Sequence, residues 1–323
     1  MLTKTTLSNT DLSVSRICYG TNMLGTAIDQ AASNAILDRF AELGGNFIDT
    51  ARSYGDWIPN APAGASERAV GSWLKGKNRA DFVVATKGGF FDIRAGDYRN
   101  RVTPEDIAKD LNESLEHLGV DFIDLYWLHS DNPEAPVAPI IDALVGHKKA
   151  GLIRWFGASN WSPSRIAEAN AYAASIGSEG FVAAQPFWGL AYPNAEAAMQ
   201  QGYGYYYEDG FQALHAAGLP MIPYAAQSRG YFTKAARDGV DGLPDSLKAM
   251  CAHPANEGRL KAAQSLAAKH GVNINAVALS YLLSQPYQTI PIFGGSSPVQ
   301  IEDSVAATKL TLSAEELAFL RGE

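Results

Sequence analysis

The sequence predicts an α/β protein built as a (β/α)8 TIM barrel, and three observations support this. Eight short apolar runs rich in β-forming residues recur along the 323 residues, and segments with helical periodicity separate them. Such unbroken alternation is typical of parallel strands, and eight units favour a closed ring. The only early glycine segment, residues 20–25, lacks the spacing of an open dinucleotide-binding fold. The predicted strands are Ser15–Tyr19, Asn46–Ile48, Phe82–Thr86, Phe122–Leu128, Ile153–Gly157, Phe181–Ala184, Met221–Tyr224 and Thr289–Ile292.

Helix starts are marked by a hydroxyl residue followed by proline. In this pattern the hydroxyl caps the helix and proline takes the first helical position. The pairs are Thr103-Pro104, Ser162-Pro163 and Ser297-Pro298. Ser313 and Glu316 have the spacing of a capping box, which predicts a C-terminal helix.

The N-terminal residues precede the first barrel strand and have a different pattern. Residues 4–12, with the turn-like Ser8-Asn9-Thr10, predict a short hairpin that covers the floor of the barrel. No linker, low-complexity tract or charge block interrupts the chain after the hairpin. We therefore expect a single domain over residues 1–323.

The composition favours small-molecule chemistry. Hydrophobic residues make up 46% of the chain and charged residues 19%, which permits a large buried core. A net charge of -8 and the lack of a basic run disfavour binding to nucleic acid or to an anionic membrane. Cys18 and Cys251 match neither a disulfide framework nor a metal site, and no signal or membrane segment is evident. These observations predict a cytoplasmic protein without a metal, and they leave its oligomeric state open.

Polar residues stand at the carboxyl ends of several predicted strands, where barrels of this kind carry their chemistry. Asp49, Lys87 and His129 each follow such a strand directly, and Tyr54 lies five residues after Asp49. Each alone is more often a cap, a solvated charge or a packed side chain. Together they suit proton transfer to a carbonyl group. A hydrolase or lyase that uses Asp49 and Asp124 is a weaker alternative.

At these positions the chain resembles the aldo-keto reductase superfamily. The resemblance covers nearly the whole sequence and implies a barrel that reduces carbonyl groups with a nicotinamide cofactor. The segments that carry it are Gly20-Thr21, Phe47 to Gly55, Ser66-Glu67, Ala85 to Gly89, Ser114-Leu115, Leu118 to Tyr126, His129 and Gly157 to Asn160.

The resemblance implies a role for each of the four polar residues. Tyr54 is the proton donor to the carbonyl oxygen, and Lys87 paired with Asp49 stabilises its phenolate form. His129 donates a hydrogen bond that holds the carbonyl oxygen. The hydride comes from the nicotinamide, because the chain itself has no hydride source.

The resemblance also implies a cofactor site. Ser159, Asn160 and Gln185 contact the nicotinamide carboxamide, and Tyr224 stacks on its ring. Ala225 stands where the family usually has serine. The implied cofactor-binding residues are Gly20, Thr21, Asn22, Asp49, Ser159, Asn160, Gln185, Tyr224, Ala225, Gln227, Arg229, Gly294, Ser296, Gln300 and Ser304.

One segment departs from the family pattern. Many members place Lys or Arg in the segment that corresponds to Gly294–Gln300, where the cation neutralises the 2′-phosphate of NADP. This chain has none there, and the cation is missing around Ser297. The family's usual cofactor is NADPH, but we hypothesise that this chain accepts or prefers NADH.

Residues round the mouth of the barrel indicate the substrate. Their mixture of aromatic rings and hydrogen-bonding groups suits a sugar-type carbonyl, which would place the protein in carbohydrate metabolism. The tyrosine-rich segment Tyr203–Tyr207 is interpreted mainly as packing. A non-catalytic nicotinamide-binding subunit or redox sensor on the same fold is the alternative function. The predicted substrate residues are Trp57, Phe90, His129, Trp161 and Trp188.

Overall fold

The computed structural model describes all of residues 1–323, in which strands and helices alternate from Cys18 to Gln185 and helices predominate after that point. Two antiparallel strands form the N-terminal hairpin, and the other strands are parallel. The strands are β1 (Lys4–Thr6), β2 (Ser13–Ser15), β3 (Cys18–Gly20), β4 (Phe47–Asp49), β5 (Val83–Gly88), β6 (Ile123–Leu128), β7 (Ile153–Ser159), β8 (Ala184–Gln185) and β9 (Ile292–Phe293).

The helices pack outside the strands. Each of the three predicted Ser/Thr-Pro starts is confirmed, because the hydroxyl of Thr103, Ser162 or Ser297 accepts an N–H of the first helical turn. The helices are α1 (Gln30–Glu42), α2 (Ala65–Leu74), α3 (Pro104–Leu118), α4 (Val137–Lys149), α5 (Pro163–Ser175), α6 (Ala195–Gln200), α7 (Gln212–Ala216), α8 (Tyr231–Asp238), α9 (Asp245–Met250), α10 (Ala255–His270), α11 (Ile274–Leu283), α12 (Pro298–Ala306) and α13 (Ala314–Arg321). The predicted capping box of Ser313 and Glu316 opens α13.

The parallel strands form a barrel, which confirms the predicted fold class. Hydrogen bonding runs in the order β8-β7-β6-β5-β4-β3-β9. Parallel bridges from Met221 to Ala184 and to Thr289 close the ring between β8 and β9. The predicted strand at residues 221–224 is therefore reduced to bridges. Pro220 and Pro223 explain this, because proline cannot donate to a strand ladder.

The predicted strand boundaries need two corrections. Ser15 belongs to the hairpin strand β2, not to the first barrel strand, which begins at Cys18. The strands predicted at 181–184 and 289–292 begin three residues later, at Ala184 and Ile292. Each of these strands has only two residues, since Pro186 follows one and Pro291 precedes the other.

The hairpin covers the floor of the barrel, as the sequence predicts. Leu7, Leu12 and Val14 are fully buried and belong to the same apolar cluster as the inward-facing residues of the barrel strands. Higher in the barrel, the indole of Trp127 fills the interior opposite Gly157, where an added Cβ would come within 2.3 Å of its ring. The barrel is thus packed below its mouth, and polar chemistry is confined to the carboxyl ends of the strands.

The register of the parallel strands places polar residues next to one another at the carboxyl ends of those strands. Asp49 ends β4, Ser159 ends β7 and Gln185 ends β8, while Lys87 is the second-last residue of β5. Ser159 lies opposite Gln185 in the sheet, and His129 follows β6 directly. Because the strands are parallel, all five residues lie on the same face of the barrel.

Candidate active site

A buried ion pair forms the base of the site. The amine nitrogen of Lys87 contacts a carboxylate oxygen of Asp49, and both side chains are almost fully buried. The same nitrogen donates to the carbonyl oxygen of Thr50 at 2.8 Å and to the phenolic oxygen of Tyr54 at 3.0 Å. Gln185 donates to the second oxygen of Asp49 at 3.1 Å. The predicted group of Asp49, Tyr54 and Lys87 is therefore brought together.

The charges of this group are set by burial and by their neighbours. Burial disfavours the charged form of Lys87, but the carboxylate of Asp49 outweighs it and raises the pKa of the amine. Burial also raises the pKa of the Tyr54 phenol, and the charge of Lys87 opposes that rise. The phenol is therefore protonated at neutral pH, beside a cation that stabilises the phenolate left when its proton is given up.

His129 stands beside Tyr54 across the same cleft. Its ring centroid lies 5.9 Å from that of Tyr54 and 4.5 Å from that of Phe90. Burial lowers the pKa of His129 well below its ordinary value, and the charge of Lys87 lowers it further. The imidazole is neutral at neutral pH and can donate one hydrogen bond without adding charge to the site.

The neighbouring strand ends supply amide and hydroxyl groups. Ser159 donates to the carbonyl oxygen of Gln185 at 3.1 Å. The side chain of Asn160 donates to the carbonyl oxygen of His129 at 2.8 Å and accepts from the hydroxyl of Tyr224 at 2.8 Å. Asn160 itself has a left-handed backbone, with φ of 59°. These hydrogen bonds hold the side chains of Tyr224, Asn160 and Ser159 in place around the same open space.

That space is a cleft of about 570 Å³ at the mouth of the barrel. It is large enough for a nicotinamide ring and a small carbonyl compound together. Its lining combines amide and hydroxyl groups with aromatic rings, a mixture that fits a flat ring carrying a carboxamide. The cleft is lined by Asn22, Tyr54, Trp57, Phe90, His129, Ser159, Asn160, Gln185, Gln201, Gly202, Tyr203, Tyr224 and Arg229.

The loop after Tyr224 has an unusual backbone. Ala225, Ser228 and Arg229 all have positive φ, at 54°, 49° and 54°, although none of them is glycine. Backbone strain of this kind is concentrated at ligand-binding sites. Arg229 reaches the cleft and donates to the side chain of Gln201 at 2.6 Å.

The remaining residues of the predicted cofactor site lie outside the cleft. Gln227 accepts the N–H of Gly294 at 2.8 Å and donates to Ser304 at 3.3 Å. The backbone N–H of Ser296 donates to the side chain of Gln300 at 2.8 Å. Residues 294–300, with Gln227 and Ser304, thus form a second set of polar residues, separate from those that line the cleft.

Two predicted cofactor residues lie beside β4. Gly20 pairs with Asp49 in the sheet. The hydroxyl of Thr21 is buried, where it donates to the carbonyl oxygen of Asp49 at 3.1 Å. The backbone N–H of Thr21 donates to the same oxygen at 3.0 Å and the residue is fully buried, so Thr21 presents neither its side chain nor its backbone to a ligand.

Two of the predicted substrate residues do not line the cleft. Trp161 is fully buried, donates to the carbonyl oxygen of Ser130 at 2.9 Å and packs against Phe181. Trp188 is also buried and stacks on Tyr207, with ring centroids 3.6 Å apart. Both indoles pack the core, whereas Trp57 and Phe90 do line the cleft.

Sequence reasoning missed three residues that line the cleft. Gln201, Gly202 and Tyr203 belong to a segment that folds over the mouth, where the N–H of Gly204 donates to the hydroxyl of Tyr224 at 2.9 Å. Nothing in the sequence signals this contact, because its partners are 20 residues apart. Tyr206 and Tyr207 are packing residues, as interpreted.

The carboxylates of the rival hydrolase or lyase are far apart. Asp49 ends β4 at the mouth, whereas Asp124 is near the start of β6, at the opposite end of the barrel. Arg79 and Arg154 occupy both oxygens of Asp124, at 2.6 and 2.8 Å. Asp49 and Asp124 therefore cannot act on one substrate.

Comparisons with known proteins agree with this barrel fold. The family model "Aldo/keto reductase family" matches residues 16–322. A structure of a thermostable aldo-keto reductase in complex with the inhibitor epalrestat shares the fold, with a TM-score of 0.72 at 22% identity over 100% of this chain and 99% of that one. The chain belongs to the aldo/keto reductase family, whose members are oxidoreductases that use NAD(P)H.

Relatives with curated names are similar over most of their length. The uncharacterized oxidoreductase YrpG of Bacillus subtilis is 28% identical, over 98% of this chain and 94% of its own. The aldo-keto reductase yakc [NADP(+)] of Schizosaccharomyces pombe is 27% identical, over 92% and 83%. The norsolorinic acid reductase of Aspergillus flavus is 26% identical, over 96% and 78%. In addition, no helix of this chain combines the length and apolarity needed to cross a membrane.

Proposed function

We propose that this protein reduces an aldehyde or ketone to an alcohol, with Tyr54 as the general acid. The observation that carries the proposal is the contact between the phenolic oxygen of Tyr54 and the amine of Lys87, in the same cleft as His129. Bound NAD(P)H supplies the hydride in this reaction. Ser159, Asn160 and Gln185 are the groups that would hold its carboxamide, with Tyr224 against the ring.

The residues of the chain then control the proton and the developing charge. His129 donates a hydrogen bond to the carbonyl oxygen and holds it near Tyr54. Tyr54 transfers its proton to that oxygen as negative charge develops there. The buried Lys87 stabilises the phenolate that remains, and Asp49 keeps Lys87 charged.

We further propose that the protein accepts NADH as well as NADPH, or prefers it. Residues 294–300 contain no Lys or Arg, and their side chains offer only neutral hydrogen-bonding groups. The nearby Arg39, on the helix α1 that packs against α12, is paired with Glu302 at 2.8 Å and Glu42 at 2.9 Å. A cation already paired with two carboxylates contributes little to binding a 2′-phosphate.

Two substrate classes are proposed. Polar groups at the mouth, including Gln201 and Arg229, support a sugar-type carbonyl. The aromatic wall supports an aromatic carbonyl instead: Trp57 and Phe90 line the cleft, and the ring of Phe91 lies 3.9 Å from that of Phe90. Because Trp161 and Trp188 are buried in the core, the substrate side of the cleft has fewer aromatic rings than the sequence suggested.

A steady-state assay of nicotinamide oxidation tests both proposals. Purified protein is given NADH or NADPH with matched panels of sugar, aromatic and aliphatic aldehydes and ketones. Turnover with NADH at an efficiency equal to or above that with NADPH supports the cofactor proposal, and a strong NADPH preference contradicts it. Tight cofactor binding with no turnover of any carbonyl would instead favour a non-catalytic nicotinamide-binding subunit or redox sensor.

The cysteines and the composition support a cytoplasmic location. Cys18 and Cys251 are both free and buried, which fits a reducing compartment.

A further inference from the structure

Arg52, two residues before Tyr54, lies in a buried ionic cluster beside the cleft. Only 8% of its side chain is exposed. Four carboxylates surround the guanidinium, and they come from three different parts of the chain. The nitrogen-to-oxygen distances are 2.7 Å to Glu113, 2.8 Å to Asp92, 3.1 Å to Asp110 and 3.7 Å to Asp56.

The cluster joins the loop of Tyr54 to the neighbouring wall of the cleft. Asp56 lies in the loop of Tyr54, Asp92 lies in the loop after β5, and Asp110 and Glu113 lie on α3. The backbone N–H of Arg52 donates to the carbonyl oxygen of Lys87 at 3.2 Å. Arg52 therefore contacts the next barrel strand through its backbone and the elements that follow that strand through its side chain.

Asp110 extends these contacts to Phe90. It accepts the backbone N–H of Gly89 at 2.9 Å and pairs with the buried Arg101 at 2.6 Å. Arg101 in turn donates to the carbonyl oxygen of Phe90 at 3.0 Å. Phe90 packs on the His129 ring. The cluster therefore contacts the backbone next to Tyr54 and also the backbone of Phe90, beside His129.

Stability alone explains such a cluster poorly. Removing charges from water costs free energy, and apolar side chains of similar size often stabilise a core as well or better. A guanidinium does provide several donors in fixed directions, so it can hold several carboxylates in one arrangement. A proton donor that is misplaced by about 1 Å can lose about 100-fold in rate.

We propose that Arg52 is a positioning residue that holds Tyr54 and the Phe90 wall in their reactive arrangement around the carbonyl group. This inference rests on the proposed role of Tyr54 as general acid. Arg52 acts through Asp92 and Asp110 and does not touch the reacting atoms. Its removal therefore affects kcat, and leaves the KM for the nicotinamide cofactor unchanged, because the residues proposed to hold the nicotinamide carboxamide, Ser159, Asn160 and Gln185, lie at the ends of β7 and β8.

The test is chemical rescue of Arg52→Ala, with Arg79→Ala as the matched control. Arg79 pairs with the buried Asp124 at 2.6 Å at the opposite end of the barrel, so its loss lowers stability without touching the mouth. We expect kcat of Arg52→Ala to fall about 100-fold. Millimolar guanidinium, which can bind among the four carboxylates, raises it again, and urea at the same concentration does not. Arg79→Ala lowers Tm but keeps kcat.

A second variant, Arg52→Lys, keeps the charge but not the fork of donors. It should have a kcat between those of wild type and Arg52→Ala, and it tests the proposal if the alanine variant fails to fold. Three results overturn the inference: a lower Tm with unchanged kcat, equal rescue by urea and guanidinium, or full activity of Arg52→Lys. Wild-type activity that depends on Tyr54 but not on Arg52 contradicts this inference alone. Absence of carbonyl turnover in the wild type contradicts the proposed function as well.

Discussion

The amine of Lys87 lies 3.0 Å from the phenolic oxygen of Tyr54 and is simultaneously paired with the carboxylate of Asp49. One buried cation thus interacts with both a carboxylate and a phenol. The phenol can become an anion only by giving up a proton, and Lys87 lowers the free energy of that state.

Replacing Lys87 with Met tests the cation. The variant leaves Asp49 buried without its partner, which should cost about 3–5 kcal/mol of the free energy of unfolding. It also removes the charge that favours the phenolate, so kcat should fall roughly 100- to 1,000-fold. Chemical denaturation and steady-state kinetics on the same preparation measure the two effects. A folded variant with wild-type kcat would show that Lys87 serves stability alone.

The pH dependence should differ between the two directions of the reaction. Burial raises the pKa of Tyr54 above its ordinary value, with Lys87 opposing, so the phenol is protonated below that pKa. Reduction needs the protonated phenol and should lose rate only as the pH rises through this pKa. Alcohol oxidation needs the phenolate and should gain rate over the same pH range. Profiles of kcat from pH 6 to 11 in both directions check this, and a reduction rate that rises with pH would contradict it.

Trp57 and Trp161 should behave differently on substitution. Trp57 is half exposed in the cleft, so Trp57→Ala should raise the KM for the carbonyl substrate about tenfold by removing an aromatic contact. Trp161 is buried, and Trp161→Phe should cost about 1 kcal/mol of stability through its lost hydrogen bond while leaving KM unchanged. A large KM effect of Trp161→Phe would mean that this indole reaches the substrate in solution.

A cation placed at Ser296 should change the cofactor preference. Ser296 is exposed, and its side chain caps no helix, whereas Ser297 caps α12. Ser296→Arg should raise kcat/KM for NADPH about tenfold relative to NADH, through a charge-assisted contact with the 2′-phosphate. Ser296→Ala is the neutral control. An unchanged ratio in the arginine variant would place the 2′-position away from this segment.

Sequence reasoning located the four polar residues because their positions follow from local patterns. Asp49, Lys87 and His129 each lie at or just after the carboxyl end of a parallel strand, and parallel strands bring those ends together. Tyr54 follows within the same short loop. The placement of these four residues therefore follows from local stretches of fewer than ten residues.

The remaining features depend on contacts between distant parts of the chain. Whether Trp161 points into the cleft or the core is decided by its packing against Phe181, which a strand pattern does not reveal. Tyr203 reaches the mouth only because its segment folds back onto Tyr224. The carboxylate partners of Arg52 on other elements lie 40 to 61 residues away in sequence.

The most direct measurement is the comparison of wild type with Tyr54→Phe. The variant removes one hydroxyl and keeps the ring, so cofactor binding, followed by nicotinamide fluorescence, should stay within about twofold of wild type. The rate of carbonyl reduction should fall roughly 100- to 10,000-fold, because the proton donor is gone. Unchanged turnover by a Tyr54→Phe protein that still binds cofactor would contradict the assignment of Tyr54 as general acid.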